Sequence, residues 1–220
     1  MRDVSVALDL DGTLIDARHR QVGVAVEAVA ALSGGQLDAS RFWRHKRSGA
    51  TTAGALIRLG YEEAIAAALA QRWRSRVEAD DWLAQDRPLP GVVRRLARLR
   101  DAGCAVLVIT ARSRPEGAGR SLRAAGLESH VDRLIVVDPS SAATDKADSL
   151  RGNRARWFVG DTESDGTAAA AADVPFVAVG TGQRSERYLR SLGYDVAASF
   201  TGAVDALAHH CAVSVTDRSE

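Results

Sequence analysis

Short runs of β-branched and other apolar residues recur along the chain at 4–8, 105–109, 134–137, 157–159 and 176–179. From the second run onward they alternate with stretches whose apolar positions repeat every three or four residues. That alternation predicts an α/β protein with a doubly wound parallel sheet. One intervening helix is legible in detail. Val92, Leu96 and Leu99 share a face, Arg94, Arg95 and Arg98 occupy the other, Gly91 precedes them and Gly103 stands where a C-cap belongs. Further helices are expected at about 116–125, 144–151 and 164–172. Val204, Leu207, Ala208 and Cys211 fall at helical spacing behind Ser199 or Thr201 as N-caps, which predicts a last helix covering one sheet face. His209 and His210 are expected on its surface, and the polar residues 214–220 are expected to fray.

Strand signals disappear between Asp16 and Arg87. Apolar residues recur there with helical spacing at Val22, Ala25, Val26, Val29 and Leu32, then through 53–59 and 65–77. The pattern predicts an α-helical domain over 17–87, inserted into a core made of 1–16 and 88–220. The return leg at 80–91 holds turn residues and two prolines, as a hinge would.

Composition narrows the function classes. A chain of 220 residues with 46% hydrophobic content can bury a true core. Its 29 Lys and Arg balance 28 Asp and Glu, so bulk charge gives no reason to expect nucleic-acid or acidic-membrane binding. Cys104 and Cys211 have neither metal-ligand spacing nor the numbers for a disulfide framework, and are expected to be reduced packing residues. No stretch approaches the roughly 20 apolar residues of a membrane span, and the N-terminus has no signal-peptide core. The expectation is a cytoplasmic protein, monomeric or a small homo-oligomer, with a small-molecule partner.

The chemistry lies at the predicted strand ends. Asp9-Leu10-Asp11-Gly12-Thr13 follows the first run, at the sheet end where open α/β folds bind ligands. Arg20 stands where an EF-hand would need its bidentate Glu. Thr110-Ala111-Arg112 ends the second run, offering a hydroxyl and backbone N–H groups to a phosphoryl oxygen. Gly160-Asp161-Thr162-Glu163-Ser164-Asp165 ends the fourth, with carboxylates four apart at a helix start that suit a hard divalent cation. Lys146, at an expected helix start, can set a cation against them. Each has a plainer reading alone: a turn, a helix cap, a surface lysine. Their co-occurrence is more specific than any one.

In this order the four segments resemble the motifs of the haloacid-dehalogenase-like phosphohydrolases, and the helical insertion is similar to the cap that many members carry. The resemblance implies a Rossmann-like core, with Asp9 as nucleophile forming a phosphoaspartate and Asp11 as the acid and then the base. It implies Mg²⁺ held by Asp9, the Asp11 backbone carbonyl, Asp161 and Asp165, and a phosphate bound by Thr110 and Lys146 beside Gly12, Thr13, Ala111 and Arg112. The stretch from Lys146 to Asp161 is shorter than in many relatives, so Arg151, Arg154 or Arg156 could fill the lysine's role. The expected activity is a phosphatase acting on a small phosphorylated metabolite. A phosphotransferase or phosphomutase would use the same residues, and a non-catalytic binding module is the remaining alternative. In the insertion, Arg41-Phe42-Trp43-Arg44-His45-Lys46-Arg47 is either a solvated helix face or a substrate-facing surface, with Arg44, Lys46 and Arg47 as candidate anion ligands and the two rings as a stacking face.

Overall fold

The computed structural model describes residues 4–205 and 207. The chain opens with strand β1 (Val4–Leu8) and passes through five helices, α1 (Arg18–Ser33), α2 (Ala39–Arg47), α3 (Thr52–Ile57), α4 (Glu63–Arg76) and α5 (Asp80–Leu83). Strands and helices then alternate as α6 (Val92–Asp101), β2 (Cys104–Ala111), α7 (Pro115–Ala124), β3 (Arg133–Val137), α8 (Ala142–Gly152), β4 (Ala155–Gly160), α9 (Glu163–Ala172), β5 (Phe176–Val179), α10 (Glu186–Ser191) and β6 (Val196–Ala197). Residues 200–205 and 207 are again helical. Ala208, His209, His210, Cys211 and the 214–220 tail lie outside the described residues. No helix among the described residues is long and apolar enough to cross a membrane.

The strands form one parallel sheet in the order β3-β2-β1-β4-β5-β6. All five expected strands are present. The sixth, β6, went unannounced because two residues paired with Ala178 and Val179 are too short to leave a periodic signal. Two short helices also depart from expectation: α10, and Asp80–Leu83 on the return leg, with Asp80 and Asp81 in its first turn where carboxylates oppose the positive end of the helix dipole.

Both sheet faces are covered, which explains why the strands read as nearly continuous apolar runs. Successive side chains alternate between faces. Val4, Val6 and Leu8 pack with Leu96, Leu99, Leu122, Val204 and Leu207 on one side. Ala7, Leu107, Ile109 and Phe158 pack with Ala147, Leu150, Ala168 and Ala169 of α8 and α9 on the other. The helical insertion has a separate buried cluster that includes Ala25, Val29, Phe42, Ala55, Leu56 and Leu69. Its exit and return legs lie side by side, with the Asp16 N–H on the Arg87 carbonyl at 2.9 Å and the Leu89 N–H on the Leu14 carbonyl at 2.9 Å.

Strand order fixes where a ligand can sit. From β1 the chain steps outward to β2 and β3, then returns to place β4 on the opposite side of β1. Connections leave β1 and β4 in opposite directions, and a crevice opens above their C-terminal ends. Register brings those ends level: Leu8 pairs with Val159, and the Asp9 N–H donates to the Val159 carbonyl at 2.8 Å.

Phe158 is fully buried beneath that crevice. Phe158→Ala is expected to lower the unfolding free energy by about 3–5 kcal/mol through lost transfer energy and a residual cavity. Urea titration should show a lower midpoint with an unchanged slope; an unchanged midpoint would contradict the packing described.

Candidate active site

Three carboxylates meet at the ends of β1 and β4. Asp9, Asp161 and Asp165 each present an oxygen, and these atoms lie within 4.8 Å of one another. Two glycines make the convergence possible. Gly12 has φ +87°, and a Cβ there would stand 2.5 Å from Asp161 Oδ2. A Cβ on Gly160 would reach 2.6 Å from the Asp165 carboxyl carbon. Asp165 is further fixed by a capping box at the start of α9, its Oδ2 accepting from the Thr162 N–H at 3.1 Å and the Thr162 hydroxyl at 2.6 Å.

Lys146 of α8 stands between the acids, its Nζ donating to Asp9 Oδ1 at 2.7 Å and Asp165 Oδ1 at 2.6 Å. Arg151, Arg154 and Arg156 are exposed. The short spacing is absorbed by an eleven-residue α8 and a tight turn in which Arg154 takes φ 50° before β4. A cavity of about 240 Å³ opens over these groups, lined by Asp9, Asp11, Thr110, Ala111, Lys146 and Asp161 among others.

Charge in this site does not balance. Burial pushes the Asp9 carboxyl up to about 7; Lys146 pulls it down, while Asp165 and Asp11 add to the rise. Burial, then Asp9 and Asp165, raise Asp161 well above the carboxylate range. Lys146 is held charged by Asp165 and Asp9 against its own desolvation. One ammonium against three carboxylates leaves two negative charges uncompensated. Asp161 Oδ2 accepts the Gln183 N–H at 2.5 Å, but its buried Oδ1 has no hydrogen-bond partner among the described residues. Excess charge, a bare oxygen and an all-oxygen donor set fit a hard divalent cation such as Mg²⁺.

Asp11 has a different environment. Arg112 bonds both its oxygens, Nε to Oδ2 at 3.0 Å and Nη2 to Oδ1 at 2.7 Å, and Arg20 adds Nη2 to Oδ1 at 2.5 Å. Burial alone would raise this carboxyl; the Arg112 and Arg20 charges outweigh it and hold the group below its ordinary value.

Several expected ligands point elsewhere. The Arg112 guanidinium is spent on Asp11 and on the Ser121 hydroxyl at 3.0 Å, so it does not line the cavity. Nor do Gly12, packed on Asp161, and Thr13, whose side chain is buried. Arg44 is exposed. Lys46 is buried, with Nζ on the Thr52 hydroxyl at 3.2 Å and 5.3 Å from the Trp73 ring centre; burial and Arg184 bring its pKa down to about 8. Arg47 reaches across to the core and donates to the Gly182 carbonyl at 3.0 Å and the Gly180 carbonyl at 2.7 Å. Phe42 and Trp43 are buried and provide no stacking face. What composition left as a basic run is a helix whose exposed, buried and interface positions serve different ends.

The motifs also missed a set of partners. Arg20, Asp86 and Ser121 form the surroundings of Asp11, and Arg184 pairs bidentately with Glu163 at 2.6 and 2.7 Å beside the loop that Arg47 grips. Arg184 stands in a glycine-bearing loop after the fifth strand and Glu163 in the fourth motif, but Arg20, Asp86 and Ser121 lie in no such pattern and only burial singles them out.

Residues 5–173 match the family model described as haloacid dehalogenase-like hydrolase. The chain belongs to that family. A curated relative, the phosphoglycolate phosphatase of Rhodobacter capsulatus, is 29% identical over 82% of this chain and 85% of its own length. Among solved structures, a haloacid dehalogenase-like family hydrolase from Streptococcus pneumoniae superposes with a TM-score of 0.75 at 17% identity, covering 93% of this chain and 98% of that one. A hydrolase from Pseudomonas syringae gives 0.62 at 22% identity, covering 93% and 98%. The shared α/β fold is therefore that of the haloacid dehalogenase-like hydrolases.

The charge imbalance sets a pH dependence whose sign can be worked out. A carboxyl raised from 3.8 to about 7 binds more protons in the folded state than in the unfolded one across that window. Stability contributed by the protonated group is thus full below the lower value and is lost as pH rises toward the upper. Metal-stripped protein should show a falling thermal midpoint between about pH 4 and 7. Added Mg²⁺ at a hundredfold excess over its dissociation constant should restore about 2.7 kcal/mol at pH 7.5 and much less at pH 5. A midpoint unmoved by Mg²⁺ at either pH would rule out the carboxylate site.

Proposed function

We propose that this hydrolase is a Mg²⁺-dependent phosphatase that cleaves a small phosphorylated metabolite through a phosphoaspartate on Asp9. The observation that carries the reading is the pairing of unlike carboxyls two residues apart. Asp9 sits among buried acids and one lysine, whereas Asp11 faces the same cavity between two arginines. Phosphatase chemistry is also what the family and its Rhodobacter capsulatus relative support.

In the first half-reaction an Asp9 oxygen attacks phosphorus in line, the P–O bond to the leaving group breaks, and Asp11 delivers a proton to the departing oxygen. In the second, Asp11 takes a proton from the water that attacks the phosphoaspartate, and inorganic phosphate leaves. The flanking guanidinia favour the carboxylate form of Asp11, which serves the base half. An incoming phosphate dianion works in the opposite direction and favours the protonated form needed for the acid half. Lys146 and the Thr110 hydroxyl stabilise charge on the equatorial oxygens of the transferring group. Mg²⁺ held by Asp9, Asp161, the Asp11 backbone carbonyl and, directly or through water, Asp165 would neutralise the negative charge gathered there.

The proposed division of labour makes residues 1–16 and 88–220 the catalytic core and 17–87 a helical cap that excludes water. A cavity of about 240 Å³ favours a compact leaving group. Of the α2 cations, Arg47, which holds the Gly180 and Gly182 carbonyls, would be freed toward the non-phosphate end of a substrate once α2 lifts from loop 180–185.

Phosphate release from a metabolite panel that includes 2-phosphoglycolate, assayed with and without Mg²⁺, tests the reading. Asp9→Asn is expected to lose at least about 10³-fold in kcat, and mass spectrometry of wild-type protein quenched in turnover should find the phosphoryl adduct on Asp9. Retained turnover in that variant would sink the nucleophile assignment. Transfer to an added alcohol in place of water would mark a phosphotransferase.

A further inference from the structure

The Asp11 carboxylate closes a buried ring of side chains drawn from three separate stretches of the chain. Arg20, in the first turn of α1, gives Nη2 to Asp11 Oδ1, Nη1 to the Val77 carbonyl at 3.0 Å, just past the end of α4, and Nε to Asp86 Oδ1 at 3.0 Å on the return leg. Asp86 Oδ2 accepts the Ser121 hydroxyl at 2.7 Å, and the Ser121 oxygen accepts Arg112 Nη1 at 3.0 Å. Arg112 returns to Asp11 and completes the circuit. Arg20, Asp86, Arg112 and Ser121 are all buried. A fully satisfied buried network fixes geometry, and removing one member leaves a charge stranded.

Packing alone does not account for this ring. Well-packed apolar side chains would hold the same space at no loss of stability, and Arg112 by itself already bonds both Asp11 oxygens. Yet the ring recruits a second guanidinium from the inserted helices and ends it on the carboxylate that lines the cavity. We infer that Arg20 is a positioning residue for Asp11: the helical segment itself supplies one of the two cations that aim the proton-transfer group. Asp11 then keeps both of its cations only while α1 and the end of α4 are seated on the core. This rests on the proposed acid–base role of Asp11.

The test separates that role from the positioning claim. In Mg²⁺-loaded protein, kcat/KM is measured for aryl phosphates from phenyl to 2,4-dinitrophenyl, whose leaving groups depend progressively less on a proton. Asp11→Asn, as reference, should lose far more activity at the phenyl end. Arg20→Met should lose about tenfold more toward phenyl phosphate than toward the dinitrophenyl ester. Arg20→Lys should recover part of that difference. Asp86→Asn, which loosens Arg20 and weakens the 3.8 Å contact of Asp86 with Arg112 while leaving the bonds to Asp11 in place, should show the same tilt more weakly. Equal losses at both ends in Arg20→Met, while Asp11→Asn tilts the series, would overturn the positioning role and leave the acid–base reading intact. A flat series in Asp11→Asn would instead remove the acid–base reading and this inference with it. Should Arg20→Met fail to fold, Arg20→Lys and Asp86→Asn decide: a series parallel to wild type in both overturns the proposal.

Discussion

Three carboxylates crowded around one ammonium, with water largely shut out, constrain everything else in this molecule. Asp9, Asp161, Asp165 and Lys146 are each buried, and their charges do not cancel. Desolvating several like charges is among the costliest things a fold can do. It persists here because the sheet on which the acids sit is held from both faces: the apolar layers around Leu8, Val106 and Val159 on one side and Phe158 on the other leave the strand ends no freedom to spread. The same uncompensated negative charge suits the site to a divalent cation. Stability and chemistry are therefore in tension at one point of the fold.

The helical insertion is tied to that point from two sides. At its first turn, Arg20 reaches the Asp11 carboxylate; along α2, Arg47 holds the Gly180 and Gly182 carbonyls, and the Ser185 N–H donates to the Arg47 carbonyl at 2.9 Å. Arg184 adds a bond from its Nη1 to the Lys46 carbonyl at 3.1 Å while pairing with Glu163. Most of these contacts are polar and run from guanidinium to carbonyl or carboxylate. The insertion's own apolar cluster around Phe42 and Leu69 keeps its helices together. The insertion thus coheres around its own apolar cluster and meets the core at these points through polar bonds.

Asp11 shows how one sequence motif can hold two chemistries. Two residues from Asp9 on the same turn, it is kept ionised by paired arginines, while Asp9 is pushed toward its protonated form by burial and neighbouring acids. The surroundings thus drive two carboxyls of one motif in opposite directions.

The chain's periodicity determined strands β1 to β5, their parallel sense, the helices after residue 91 other than α10 and the helical nature of 17–87, because burial on both faces and amphipathic packing write their period directly into residue order. Four motif residues were legible for a related reason: Asp9 and Asp161 follow strands, Thr110 stands at the end of β2 and Asp165 caps α9, so local rules carry them to the same sheet edge, which Lys146 reaches from inside α8. Tertiary structure alone decided the rest. That Arg112 turns to Asp11, that Lys46 is buried against Trp73 while Arg44 faces solvent, and that Arg20, Asp86 and Ser121 join the site all depend on partners dozens of residues distant. A side chain's period says which face it occupies, but its charge is answered by whatever the fold brings within hydrogen-bond reach, and no local pattern records that.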